Sequence, residues 1–181
     1  EGIDGALYGT TIRGGAFGHG TLFRLDPSGA LEVVHSFEAS VDGSSPETEM
    51  VQGSDGALYG VTPARGAFGA GTLFKLDTSG HFSLLHSFEE SVDGSAPAAA
   101  LVRGSDGALY GSTSKGGPSG AGTLFKLDAN GSFHLLHGFQ ASVDGSTPRT
   151  RLLRASDGAL YGMTPLGGAL GGGTIFKLDA G

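Results

Sequence analysis

The chain has 181 residues, 35 of them glycine, with no cysteine, 38% hydrophobic residues and a formal charge of −7. No apolar run is long enough to span a membrane, and no Gly-X-Y period exists to make collagen. The 11 basic residues are scattered singly, so no patch is expected to neutralise phosphates of nucleic acid or of an anionic membrane, and the missing thiols remove disulfides and thiolate metal sites together.

The hexapeptide Asp4-Gly5-Ala6-Leu7-Tyr8-Gly9 returns unchanged at 55–60, 106–111 and 157–162, each copy 51 residues after the last. A fixed period of this length marks a propeller, solenoid or array. The whole chain, 1–181, reads as a single repeat domain with units 4–54, 55–105, 106–156 and a partial 157–181, about three and a half in all. It opens in the middle of a unit and is expected to be a mature or trimmed piece of a longer array.

The second unit shows the elements in chain order. Val51-Gln52-Gly53-Ser54 and Ala57 to Thr62 are β-prone runs separated by Asp55-Gly56, which predicts a two-residue hairpin. A glycine-rich loop, Pro63 to Ala70, leads to a third strand, Gly71 to Leu76, and then to Asp77-Thr78-Ser79-Gly80, a type I turn closed by a residue with positive φ. The run from Phe82 to Phe88 predicts a fourth strand, with Phe82, Leu84, His86 and Phe88 on one side and Ser83, Leu85 and Ser87 on the other. A long return, Glu89 to Ala98, carries Ser91-Val92-Asp93-Gly94-Ser95 and Pro97. No window keeps helical spacing.

Four antiparallel strands in each 51-residue unit, with apolar residues on both sides, predict an all-β fold, a β-propeller built from four-stranded blades. A parallel β-helix needs shorter coils, and a flat hairpin array stays open. The terminal units lack strands, and unpaired strand edges are normally paired or covered. A larger ring or continuing array is therefore expected, reached by a longer chain or as a homo-oligomer.

The composite pattern, Asp-Gly-x-Leu-Tyr-Gly-x-Thr, then Gly-Gly, then Gly-Thr-(Leu/Ile)-Phe-(Lys/Arg)-Leu-Asp, then (Leu/Val)-His-x-Phe and Asp-Gly-Ser-x-Pro, resembles the GloVer tandem repeat, the Gloeobacter and Verrucomicrobia type. The resemblance covers essentially the whole chain. It implies a secreted or surface-anchored bacterial repeat protein with a propeller fold, and it carries over no enzymatic activity and no catalytic residues.

Candidate chemistry is sparse. His35, His86 and His137 share one repeat position on the outer strand and read as packed or hydrogen-bonded residues rather than metal ligands. His19, His81 and His134 read as surface residues. Two aspartate series lie in hairpin turns, where carboxylates bond the local backbone. The third, Asp42, Asp93 and Asp144, lies in the long return, where loop oxygens offer a Ca²⁺ site against the simpler reading of an Asx-turn or inter-blade hydrogen bond. The glycine-rich loops precede strands, not helices, so no phosphate loop is predicted. These loops are also where the units differ. Arg13 and Phe17, Arg65 and Phe68, and Lys115 are candidate ligand-binding residues, since an exposed phenylalanine near a cation suits a sugar or a protein partner; the alternative is that Phe17, Phe68 and Leu170 tuck between blades. No nucleophile, base and orienting acid recur in one place. The expectation is a non-enzymatic extracellular scaffold binding glycan or protein at the bacterial surface, or else a structural subunit of a surface fibre or layer.

Overall fold

Turn chemistry sets where each strand begins and ends. The computed structural model describes residues 1–179; Ala180 and Gly181, the end of the partial unit, lie outside the described residues. Its strands form four antiparallel sheets, one per repeat. Blade 1 holds β1 (Leu7–Thr11), β2 (Thr21–Leu25) and β3 (Leu31–Ser36). Blade 2 holds β4 (Val51–Gln52), β5 (Leu58–Thr62), β6 (Thr72–Leu76) and β7 (Phe82–Ser87). Blade 3 repeats this as β8 (Val102–Arg103), β9 (Leu109–Thr113), β10 (Thr123–Leu127) and β11 (Phe133–Gly138), and blade 4 holds β12 (Leu153–Arg154), β13 (Leu160–Thr164) and β14 (Thr174–Leu178). Within each blade the strands lie side by side in chain order. The short strands β4, β8 and β12 pack against one another, which places them at the inner edge, with β3, β7 and β11 outermost.

Two local expectations are corrected. Asp-Gly is not a two-residue hairpin. Gly56 donates its amide to the Gly53 carbonyl at 3.2 Å and Gly53 donates to Ala57 at 2.9 Å, while only Gly56, at φ +80°, is left-handed. Asp55 therefore sits inside a type I turn that Gly56 closes, the same geometry as Asp77 to Gly80. The outer strand also fails to alternate throughout. Leu73 faces His86 and Phe74 faces Leu84, leaving Leu85 as a bulge. The extra residue moves His86 to the face opposite Phe82 and Leu84.

That reversal matters because each blade is covered on both faces. Leu58, Phe74, Leu76 and Phe82 of blade 2 pack against Leu22, Val34 and Phe37 of blade 1. The opposite face, with Tyr59, Val61, Leu73 and Phe88, packs against Leu109, Phe125 and Phe133 of blade 3. A third cluster joins Tyr110, Leu124 and Phe139 to Leu160 and Phe176. Phe37, Phe74, Phe88, Phe125 and Phe139 are fully buried, each contributing roughly 2–3 kcal/mol by removal from water. The motif glycine beside the tyrosine makes this possible: Gly60 faces Phe74 across the ladder, and the ring occupies the space a Cβ would take.

Between blades, the return loop of one docks onto a threonine pair of the next. Thr123 donates its hydroxyl to the Asp93 carbonyl at 2.8 Å and lies 2.8 Å from the Thr113 hydroxyl. Thr72 makes the same bond to Asp42 at 2.8 Å, and Thr174 to Asp144 at 2.7 Å. Gly94, at φ +100°, lies so close to Thr113 that a Cβ would strike its hydroxyl. The residue before each return proline, Ser45, Ala96 or Thr147, is held left-handed at φ 56°, 53° or 64°, its amide bonded to a glycine-loop carbonyl at 2.9–3.0 Å.

Thr123→Val is expected to lower stability by about 1–3 kcal/mol by leaving the buried Asp93 carbonyl without its donor. Gly94→Ala should cost more than Thr123→Val, through steric overlap and a disfavoured φ together. Urea midpoints of the two variants check both the sizes and the order.

Candidate functional site

From blade 2 onward the glycine-rich loop is held on the return of the blade before it, Gly66 donating to the Ala39 carbonyl at 2.8 Å, Gly117 to Glu90 at 2.7 Å and Gly168 to Ala141 at 2.8 Å. A cleft opens beside each of the first two contacts. The first, about 450 Å³, is lined by Phe17, His19, Glu38, Ser40 and Arg65. The second, about 730 Å³, is lined by Phe68, Glu89, Glu90, Ser91 and Lys115. Phe17 and Phe68 are 53% and 62% exposed; neither tucks between blades.

The structure thus gathers most of the sequence candidates, in a different pairing. The aromatic comes from one blade and the cation from the next: Phe17 with Arg65, and Phe68 with Lys115. Arg13 shares a loop with Phe17 but lines neither cleft. The acids Glu38, Glu89 and Glu90 were not among the candidates, because their place beside a glycine loop depends on inter-blade contact; the only signal was their position at the start of each return. At the third junction the corresponding residues are Ser119, Gln140 and Leu166, so aromatic, acid and cation are all replaced.

Arg65 stands apart in backbone geometry. Its φ is +66°, at a repeat position held elsewhere by Gly14, Gly116 and Gly167 at +93°, +69° and +74°. A bulky side chain in the left-handed region costs on the order of 1 kcal/mol, and such residues cluster at functional positions.

The third aspartate series has a local task. Asp93 accepts from the Glu89 amide at 2.7 Å and pairs with His86 Nε2 at 2.6 Å; Asp42 does the same with Glu38 and His35, and Asp144 with Gln140 and His137. Both oxygens of each carboxylate are therefore engaged by the loop and its strand, rather than converging on a calcium position. Among the described residues no three His, Asp or Glu side chains form a metal-ligating group. The histidine rings continue into the next blade: His35 stacks on Phe82 with centroids 3.6 Å apart and His86 on Phe133 at 3.8 Å. The shared histidine position is structural, as its place on the outer strand implied.

The first aspartate series is more than a turn device. Asp55 accepts from the Tyr59 hydroxyl at 2.9 Å and from Lys75 at 2.7 Å, and Asp4 binds Tyr8 and Arg24 in the same way. Burial raises the Asp55 and Asp106 carboxyls, but the lysine, tyrosine and amide donors outweigh it and hold both below the ordinary value. Arg24 does this for Asp4, the Ser28 and Ser79 hydroxyls for Asp26 and Asp77, and Lys126 for Asp128. Burial raises the Tyr59 hydroxyl, and Asp55 adds to it. In blade 2 the carboxyl of Asp55 is thus held toward its ionised form and the Tyr59 hydroxyl and Lys75 amine toward their protonated forms, which suits a strut.

A carboxyl lowered by folding releases protons on folding, so its stabilisation is complete above the unfolded value near 3.8 and is lost as pH falls through the lowered folded value. The melting temperature is expected to hold steady from about pH 7 to 5 and to drop below about pH 4. Asp55→Asn should shallow that acid limb, which a series of thermal melts against pH would record.

Comparison with known proteins agrees with this architecture. Streptogramin B lyase superposes with a TM-score of 0.54 at 18% identity, over 97% of this chain and 55% of its own. A candidate gluconolactonase gives 0.55 at 19% identity, over 99% and 59%. The extracellular domain of a one-component system from B. thetaiotaomicron gives 0.59 at 15%, over 96% of this chain and 20% of that one. The chain spans little more than half the length of the first two, and at these identities the likeness establishes a propeller-like fold alone. A search of curated protein sequences found no match. Residues 1–176 fit the Gloeobacter/Verrucomicrobia repeat profile throughout, and with its four sheets recurring every 51 residues the chain belongs to the Gloeobacter/Verrucomicrobia repeat family.

Proposed function

We propose that this protein is a non-enzymatic binding scaffold of the bacterial exterior, taking glycan or exposed protein ligands in its inter-blade clefts. The observation that carries this reading is Arg65, a strained residue facing an exposed phenylalanine across a blade junction. A flat aromatic, a cation and a carboxylate around a shallow cleft are suited to a sugar ring, whose apolar face stacks while its hydroxyls bond the charged groups. The extracellular domain among the similar structures is in keeping with a place outside the cell. Binding rather than catalysis is favoured because the recurring titratable groups are tied to one another or to the backbone.

A glycan array and a pull-down from envelope material test the reading together, and two empty results would remove it. On a ligand found this way, Arg65→Gly should weaken binding at least tenfold, the equivalent of about 1.4 kcal/mol, while relieving the backbone and leaving the melting temperature unchanged or raised. A variant that loses stability and binding in parallel would instead make Arg65 a structural residue.

A second reading, a structural subunit of a surface fibre or layer, rests on the outer faces. Leu7 and Leu31 of blade 1 are 53% and 68% exposed, and Met163 and Ile175 of blade 4 are 47% and 80%, whereas of their equivalents in blade 2 Leu58, Val61 and Leu73 are buried and Phe82 is half-buried against blade 1. The two faces are the two halves of the internal junction. A second copy of this chain, docked face to opposite face, would bury both in a geometry the molecule already uses at its three blade junctions. Native mass against concentration decides this: dimers or a ladder of masses support it, and a strict monomer at high concentration overturns it.

A further inference from the structure

The charge distribution at the inner edge differs from that at the clefts. The groove where β4, β8 and β12 converge has a volume of about 700 Å³, with Val51, Val102 and Leu153 in its lining and Arg103, Arg151 and Arg154 beside them. Arg103 and Arg154 occupy one repeat position, where blade 2 has Gln52. Arg154 Nη1 donates to the Arg103 carbonyl at 3.4 Å, so the two arginines are neighbours across the blade 3 to blade 4 junction.

The cations of the middle strands are neutralised: Arg24, Lys75, Lys126 and Lys177 each pair with an aspartate. Arg103 and Arg154 have no carboxylate within ion-pair distance among the described residues, and Arg151 has only a contact of 3.5 Å to the exposed Glu49. In a chain with 18 acidic residues against 11 basic, like charges gathered without counter-ions repel one another and bring the fold no stability. A groove lined by one sign of charge focuses its field on an incoming ion of the other sign. The guanidinium fork matches a carboxylate in two parallel hydrogen bonds, and Val51, Val102 and Leu153 offer an apolar wall beside it.

We infer that the inner groove is a second binding site, specific for an organic carboxylate whose body is a sugar or a hydrocarbon. Arg103 and Arg154 hold the carboxylate and the valine and leucine side chains cover the body. The site uses none of the residues of the inter-blade clefts and stands or falls apart from them.

The test is calorimetric titration of the whole chain with trigalacturonate, octanoate, neutral galactotriose and inorganic phosphate, at low and at physiological salt. One or both carboxylate probes should bind, and which of them binds identifies sugar or hydrocarbon as the body. Affinity should fall as salt rises, and Arg103→Gln and Arg154→Gln should each weaken it at least tenfold, while Arg65→Gly leaves it unchanged. Both arginines are exposed, so the variants should keep the wild-type melting temperature, which a thermal scan verifies. Failure of both carboxylates to bind, equal binding by either arginine variant, or a preference for phosphate overturns the assignment.

Discussion

The contact on which the structure depends is the hydrogen bond from a buried threonine hydroxyl to the carbonyl of the preceding blade's return loop. It recurs at 2.7–2.8 Å at all three junctions, and four motif positions serve it. The aspartate that offers the carbonyl also folds its own loop, one oxygen on the loop amide and the other on the strand histidine. The glycine after it gives the next blade room to approach. The two threonines receive the loop. That histidine then stacks on the phenylalanine of the next blade, so one aspartate couples the geometry of two blades. A buried polar contact of this kind contributes modestly when made and costs more when broken, and it fixes registry where the apolar surfaces alone would tolerate sliding.

Because these contacts are backbone-centred and repeated, the loops outside them are free to differ. The two clefts with an aromatic, a cation and an acid, and the third junction without them, show difference imposed on a uniform scaffold. Arg65 illustrates the logic most directly. Glycine is the favoured residue at its backbone conformation and occupies that position in every other blade, so arginine there stands against conformational preference and for its side chain. The inner groove departs from uniformity by charge, with Gln52, Arg103 and Arg154 at one repeat position.

Much of this was legible in the residues. A 51-residue period without insertion, tight-turn residues at fixed offsets and the lack of helical spacing fix the strand count, the antiparallel pairing and the blade as the unit. Local chemistry decides these things: glycine permits positive φ, and an aspartate carboxylate reaches its own backbone two residues on. Even the outer-strand histidine was readable as structural from its position. The turn type and the bulge were not, since Asp-Gly suits two turns and a single extra residue in a strand leaves no mark in composition.

What lay across a blade junction was hidden for a physical reason. Phe17 and Arg65 are 48 residues apart in the sequence, and only the packing of blade on blade brings them to one cleft; the same is true of the carbonyl that each threonine holds and of the arginines at the inner edge. The sequence by itself determined the repeat, its strands and its turns, because those depend on contacts within a few residues. The tertiary structure alone decided which side chains share a site, because the blades meet through their faces and each face draws on residues a full period apart.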